Sequence, residues 1–343
     1  MAGTTINWYR TPVDKETLRQ LTQRSNLRGW LQSGSFLLVY AALTALAVYF
    51  FLQRWWVPMV VACYLHSLFV NMMSISAATH ELSHGTPFKT KPANEFFLYL
   101  FSFLTWNNPV HFRASHILNH HQFTLYTGQD KEVIQVPVKD KLNWVNILSW
   151  LTFDWSWFAL FIRVNVLHAL GNGDADFFSW NPLFQKDDPR RKAMCRWARF
   201  VVIGYVVLIA VFIVFHLWVA IYLVFSYYFV RILANLTGAI QHTGLASDIP
   251  DWRVICHTVK LNPLLRYLYW NMNYHTEHHM YAAVPFFNLA KLRGVLEKDV
   301  PEAHAGFGAC LRKLGEIREA QAKDPSYFWT PSLPPGAAPA RLS

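Results

Sequence analysis

FVVIGYVVLIAVFIVFHLWVAIYLVFSYYFVRILANLTGAI, residues 200–240, carries one formal charge, Arg231. At about 1.5 Å per residue, a single helix over this run would reach roughly 60 Å, twice the hydrocarbon thickness of a bilayer. The run therefore predicts two spans, 200–216 and 218–240, joined by a tight turn at His216-Leu217-Trp218. Upstream, Ser35–Leu52 and Trp55–Ala78 are separated only by Gln53-Arg54. Each is close to the roughly 20 residues that cross a bilayer, so they predict an antiparallel hairpin with spans 35–52 and 55–78. The expected fold is an all-α integral membrane protein with four transmembrane helices arranged as two hairpins.

Composition agrees with this. Of 343 residues, 53% are hydrophobic and 15% charged, against about 25% charged in soluble domains. Disorder, collagen-like repeats and a disulfide-rich module are excluded. Cys63, Cys195, Cys256 and Cys310 are isolated, with no CxxC pair, so no iron–sulfur motif is present. Reduced structural thiols are expected.

Apart from Arg54 and Arg231, every Lys and Arg falls before Ser35, between Thr79 and Phe200, or after Gln241. Four spans put these three regions on one side, and the positive-inside rule makes that side cytoplasmic, together with both termini. Glu95–Trp106 and Trp144–Leu170 are aromatic-rich but interrupted, and are expected to be interfacial or capping helices. An extra span through 144–165 would invert everything downstream and is disfavoured. Residues 1–33 form an amphipathic cytoplasmic segment, with a helix start at Thr11-Pro12-Val13-Asp14. Residues 34–300 form the membrane domain, 301–324 a soluble helix, and 325–343, rich in Pro and Ala, a disordered tail.

Histidine supplies the chemistry. His80-Glu81-Leu82-Ser83-His84 follows the second span, and its i, i+4 spacing places both imidazoles on one helix face. His116-Ile117-Leu118-Asn119-His120-His121 is a second box and His275-Thr276-Glu277-His278-His279 a third, while His242 follows the fourth span. All lie on the expected cytoplasmic side. One HxxxH is usually a solvated helix face. Three clusters of eight His, plus His242, are not, because protonated imidazoles would repel whereas neutral ones can share metal ions. Nine nitrogen donors exceed the six of one octahedral ion, so two ions are inferred. Imidazole suits zinc, iron, copper or nickel. His80-Glu81-x-x-His84 also matches HExxH of zinc proteases, which leaves seven His idle. A two-zinc membrane hydrolase or a metal-binding transporter is the competing class.

The boxes, their order and the spans between them resemble the membrane fatty acid desaturase superfamily over about residues 10–300. Asn273-Tyr274-His275-Thr276-Glu277-His278-His279, followed by Val284-Pro285, is similar to the NYHxEHH…VP segment of acyl-lipid desaturases. Phe112-Arg113 before box two, and Thr124, Asp130 and Glu132 after it, are similar too. The resemblance implies a cytoplasmic helical cap holding a His-rich di-iron site. Its ligands would be His80, His84, His116, His120, His121, His242, His275, His278 and His279. It also implies O2 as co-substrate, a lipid or acyl substrate, and electrons from a ferredoxin, cytochrome b5 or rubredoxin.

Two departures bear on the reaction. Box two is HxxxHH, as in integral-membrane alkane hydroxylases, where many desaturases have HxxHH. Gly238 stands where stearoyl-CoA desaturases place an Asn ligand, and Asn235 lies on the same helix face. Double-bond formation in an acyl chain is the expected reaction. Hydroxylation of alkanes, lipids or carotenoids is the alternative.

Remaining residues sort as follows. His111 is a polar interfacial His, His66 and His216 are structural, and His168, His257 and His304 are surface or packing His. Arg231 either binds a polar group of the substrate or pairs with an acid such as Asp154. Glu81 and Glu277 either hold ligand imidazoles or sit in solvent. The net charge of +10 suits an acidic electron carrier and anionic lipid. No recognition motif accompanies it, so nucleic acid is not an expected partner.

Overall fold

The structure, a computed structural model, describes residues 6–133, 136–177 and 183–342. The ends of the expected N-terminal segment and tail, residues 1–5 and Ser343, lie outside the described residues. Among the described residues the protein is helical, with isolated β-bridges and no strand.

Three helices among the described residues are long and apolar enough to cross a membrane. The first, Asn26–Leu52, starts nine residues before the expected span, where the Ser25 side chain accepts from the Arg28 N–H. Arg54, in the left-handed region at φ 59°, turns the chain into Trp56–Met73. The third, Pro189–Val214, opens at Asp188 and Pro189, a carboxylate cap followed by proline. Leu38, Val57, Val60, Ile203 and Val206 stand exposed along these helices. Trp55, Trp56 and Trp218 stand exposed at the turns, the belt position such rings take at a membrane interface.

The fourth expected span, 218–240, is not one helix. Trp218–Phe225 passes into a 3-10 turn, Ser226–Tyr228, and a new helix begins at Ile232. Phe229 is extended and Val230 is left-handed at φ 49°. The stretch expected as one capping helix, 144–170, is likewise split into Trp144–Leu151 and Trp155–Ala169. The two breaks satisfy each other: Asp154 N–H donates to Tyr228 O at 2.9 Å and Val230 N–H to Thr152 O at 2.9 Å. Irregular backbone at membrane depth is tolerated where protein supplies such partners.

Arg231 sits at this junction. Its guanidinium lies 3.3 Å from Asp154 Oδ2, donates to Asn71 Oδ1 at 3.0 Å, and rests on the rings of Trp157 and Tyr227. It is 3% exposed, and it pairs with Asp154 as the acid expected from sequence. The charge is the physical reason for the break. A buried guanidinium needs acceptors, and the turn brings Asp154 and Asn71 to it.

The second expected span also ends early, at Met73. Ser74 Oγ donates to Asn71 O, and box one follows on a separate short helix, Ala78–His84, closed by Gly85 at φ 69°. Near the N-terminus, Asp14 caps Lys15–Leu21 rather than entering its first turn. The soluble helix expected over 301–324 runs Phe307–Lys323.

The tail, expected to be disordered, lies against the body. Arg253, fully buried, pairs with Asp251 and Asp299 and donates to the carbonyls of Ala338 and Pro339. Tyr9 and Thr11 hydroxyls donate to Asp299 from the other end of the chain. This hub draws together segments far apart in sequence, which composition alone does not reveal.

Candidate metal centre

The nine expected ligands divide five and four. His80, His84, His116, His121 and His278 form one group; His120, His242, His275 and His279 form the other, with donor atoms in each group within 4.8 Å of one another. Local helix geometry makes the division. In box three, on the helix His275–Met280, His275 and His279 share a face and enter the second group, while His278 enters the first. Both imidazoles of box one enter the first group.

Box two needs a different device, because its ligands serve both groups. His116–His120 is a π turn, and His121 N–H donates to His116 O across five residues. His116 and His121 thereby point to the first group and His120 to the second. The extra residue of HxxxHH is taken up inside this turn.

Nitrogens within each group stand close together. His116 Nε2 lies 3.0 Å from His80 Nε2 and 3.1 Å from His121 Nε2, and His80 Nε2 lies 3.1 Å from His278 Nε2. In the second group, His275 Nε2 lies 2.9 Å from His242 Nε2 and 3.1 Å from His279 Nε2. The groups adjoin, with the rings of His121 and His279 stacked at 4.3 Å.

The opposite ring nitrogens are fixed by acceptors. His120 Nδ1 faces Asp130 Oδ2 at 2.8 Å, His116 Nδ1 faces Glu132 Oε2 at 3.0 Å, and His242 Nδ1 faces Ile255 O at 2.8 Å. His279 Nδ1 lies 3.3 Å from the Thr124 hydroxyl, which itself donates to His120 O. A proton on each Nδ1 leaves a lone pair on Nε2. Thr124, Asp130 and Glu132, noted in sequence only as neighbours of box two, thus hold its ligands and one from box three.

Glu81 and Glu277 are buried rather than solvated. Glu81 Oε1 lies 3.4 Å from His278 Nδ1, outside hydrogen-bond geometry. Glu277 holds no imidazole; it accepts from Thr258 Oγ1 at 2.7 Å and from Arg293 at 2.9 Å, which anchors the box-three helix. Asn235 Nδ2 has no hydrogen-bond partner among the described residues.

The other histidines stay out of both groups. His66 bonds Thr44 inside the first hairpin, His111 faces Asp176 at 3.1 Å, and His168 bonds Ala175 O. His216 forms the second turn at φ 54°. His257 and His304 were expected to be ordinary surface or packing residues. Instead they face each other at 3.1 Å beside Cys310, a pairing across 47 residues with no spacing motif to announce it.

Electrostatics favour metal-ready imidazoles. Burial, and then each other's charge, hold His116, His121, His275, His278 and His279 well below the ordinary 6.5. Burial pushes His242 down to about 3. Burial also opposes charge on His120, but Asp130 overrides it and shifts that group up.

This donor set fits two metal ions. Two right-angle imidazole donors about 2.1 Å from a shared ion stand about 3.0 Å apart, the spacing seen here. His84 Nε2 is buried with no hydrogen-bond partner among the described residues, as a metal donor would be without its ion.

A cavity of about 390 Å³ reaches both groups, lined by His121 and His279 with Arg10, Leu18, Trp252 and Tyr281. A larger one, about 440 Å³, lies among Phe51, Trp56, Tyr222 and Phe229 and carries no histidine. Of these two cavities, the first is the one that touches the histidine groups.

A search of curated proteins returned no match. The fatty acid desaturase family profile matches residues 54–309, which include all three boxes and His242. The match covers most of the chain, so the protein belongs to the fatty acid desaturase family, a family of oxidoreductase enzymes.

Proposed function

We propose that the chain is an O2-dependent lipid desaturase whose two histidine groups each hold one iron. The observation that carries this is the five-and-four division of nine imidazoles, with carboxylates and carbonyls fixing the outer nitrogens. Bound iron would supply O2 activation and hydrogen abstraction from an unactivated C–H bond. The chain's residues do the rest. His121 and His279 border the 390 Å³ cavity from opposite groups, so a carbon held there lies beside both. Leu18, Trp252 and Met280 give its wall an apolar surface that excludes water, and Arg10 offers a cation to a polar end of the substrate.

In the balanced reaction two hydrogens leave adjacent carbons and O2 is reduced to two waters. The remaining two electrons and two protons come from outside. A separate acidic carrier, of ferredoxin, cytochrome b5 or rubredoxin type, suits the net charge of +10. In this reading the chain crosses the membrane four times, with the broken segment 218–240 as the fourth crossing. Both termini and the boxes then lie on the basic, cytoplasmic side. Hydroxylation is the second outcome the same ligands can support. The HxxxHH spacing of box two, carried here on the π turn, favours that outcome.

Mass spectrometry of lipids from cells expressing the chain together with an electron carrier tests the reaction. A product two hydrogens lighter, absent with His279→Ala, is expected. A product one oxygen heavier would replace desaturation by hydroxylation.

A further inference from the structure

His257, His304 and Cys310 form a third group of donors, separate from the nine. Their ligand atoms lie within 4.8 Å of one another. Two segments deliver them, one carrying His257 and the other His304 and Cys310. His257 N–H donates to Gln241 O at 2.8 Å, and His257 Nε2 faces Thr243 O at 3.1 Å. A carbonyl only accepts, so Nε2 carries the proton and Nδ1 is left as a lone pair. That lone pair lies 3.1 Å from His304 Nε2. His304 is held on both sides, its N–H donating to Thr258 O and its carbonyl accepting from Lys260, each at 2.9 Å. Cys310, fully buried, comes from the first turn of Phe307–Lys323. Trp329 stacks on the His257 ring at 5.6 Å.

We propose that His257 Nδ1, His304 Nε2 and Cys310 Sγ bind a zinc ion distinct from the nine-histidine centre. Two imidazoles and a thiolate suit zinc, and three protein donors leave one tetrahedral position for water. Burial pushes the Cys310 thiol up to about 12, so without a cation it keeps its proton. Zinc binding breaks the S–H bond, forms the Zn–S bond and releases that proton to solvent. The ion would fasten the C-terminal helix and the His304 segment to the chain beside His242. Gln241 and Thr243, both bonded to His257, flank that residue.

Iron and zinc are counted together by mass spectrometry of the purified full-length protein, expressed with added zinc and freed of loose metal on a desalting column. About one zinc per chain is expected in the wild type. Cys310→Ser should lower zinc at least about tenfold and leave iron unchanged. His304→Gln, at a partly exposed position, should do the same with less disturbance of the core. His279→Ala should lower iron and leave zinc. Cobalt loaded in place of zinc should give a thiolate-to-metal charge-transfer band that Cys310→Ser abolishes.

Zinc absent from the wild type, or unchanged in both variants, would overturn the proposal and leave a hydrogen-bonded His pair beside a packed thiol. Zinc that falls only together with iron in both variants would place it in the main centre, and would overturn the proposal equally. Iron lost in His279→Ala while zinc persists in that same variant separates this site from the desaturase reading.

Discussion

His279→Ala is expected to abolish turnover and to lower bound iron, while His66→Ala leaves iron content unchanged. His279 belongs to the four-donor group, with Nε2 3.1 Å from His275 and Nδ1 against Thr124. It also borders the cavity and stacks on His121 of the other group. Losing it removes one of four protein donors and the contact between the two groups. Substitutions that only orient metal ligands cost about 10–100-fold, so removal of a ligand should exceed about 100-fold in activity. His66 is equally buried, but it bonds Thr44 within the first hairpin and joins neither group. Metal content by mass spectrometry with a turnover assay separates the two. Equal iron loss in both variants would contradict the ligand assignment.

Asp130→Asn is expected to weaken metal binding by about 10–100-fold without removing any ligand. One carboxylate oxygen accepts from His120 Nδ1 at 2.8 Å and from Leu125 N–H at 2.9 Å. The other accepts from Glu132 N–H at 2.9 Å and Val133 N–H at 3.1 Å. Asn can keep the second pair through its oxygen. Its amide then turns an N–H toward the His120 Nδ1 proton and the Leu125 N–H. His120 must then rotate to relieve this, which misaligns its Nε2 lone pair without removing it. Each lost charge-assisted bond also costs about 1.5–3 kcal/mol, so Tm should fall. Glu132→Gln, which touches only His116 among the ligands, should cost less on both counts. Iron titration and thermal unfolding check the ranking, and Asp130→Asn with wild-type iron affinity would contradict it.

Much of this centre is legible in sequence because its spacing is local. An i, i+4 pair such as His80 and His84 must share a helix face. Nine imidazoles beside apolar runs leave few arrangements other than shared ions. The first hairpin is legible for the same reason, since Gln53-Arg54 permits only a turn. What was missed depends on long-range partners. The break at 226–231 follows from Arg231 seeking Asp154 and Asn71, across 77 and 160 residues. The π turn hides in a box that reads as an ordinary HxxxHH. The tail is held by Arg253, and the His257–His304–Cys310 group joins segments that no motif links.

In the proposed function the nine imidazoles hold two iron ions that react with O2. Counting iron in the purified full-length protein, with O2 consumption after chemical reduction measured on the same sample, tests it most directly. About two irons per chain are expected, with O2 uptake that falls with iron in His279→Ala. Two zinc ions at the same histidines, with activity that needs no O2, would contradict it.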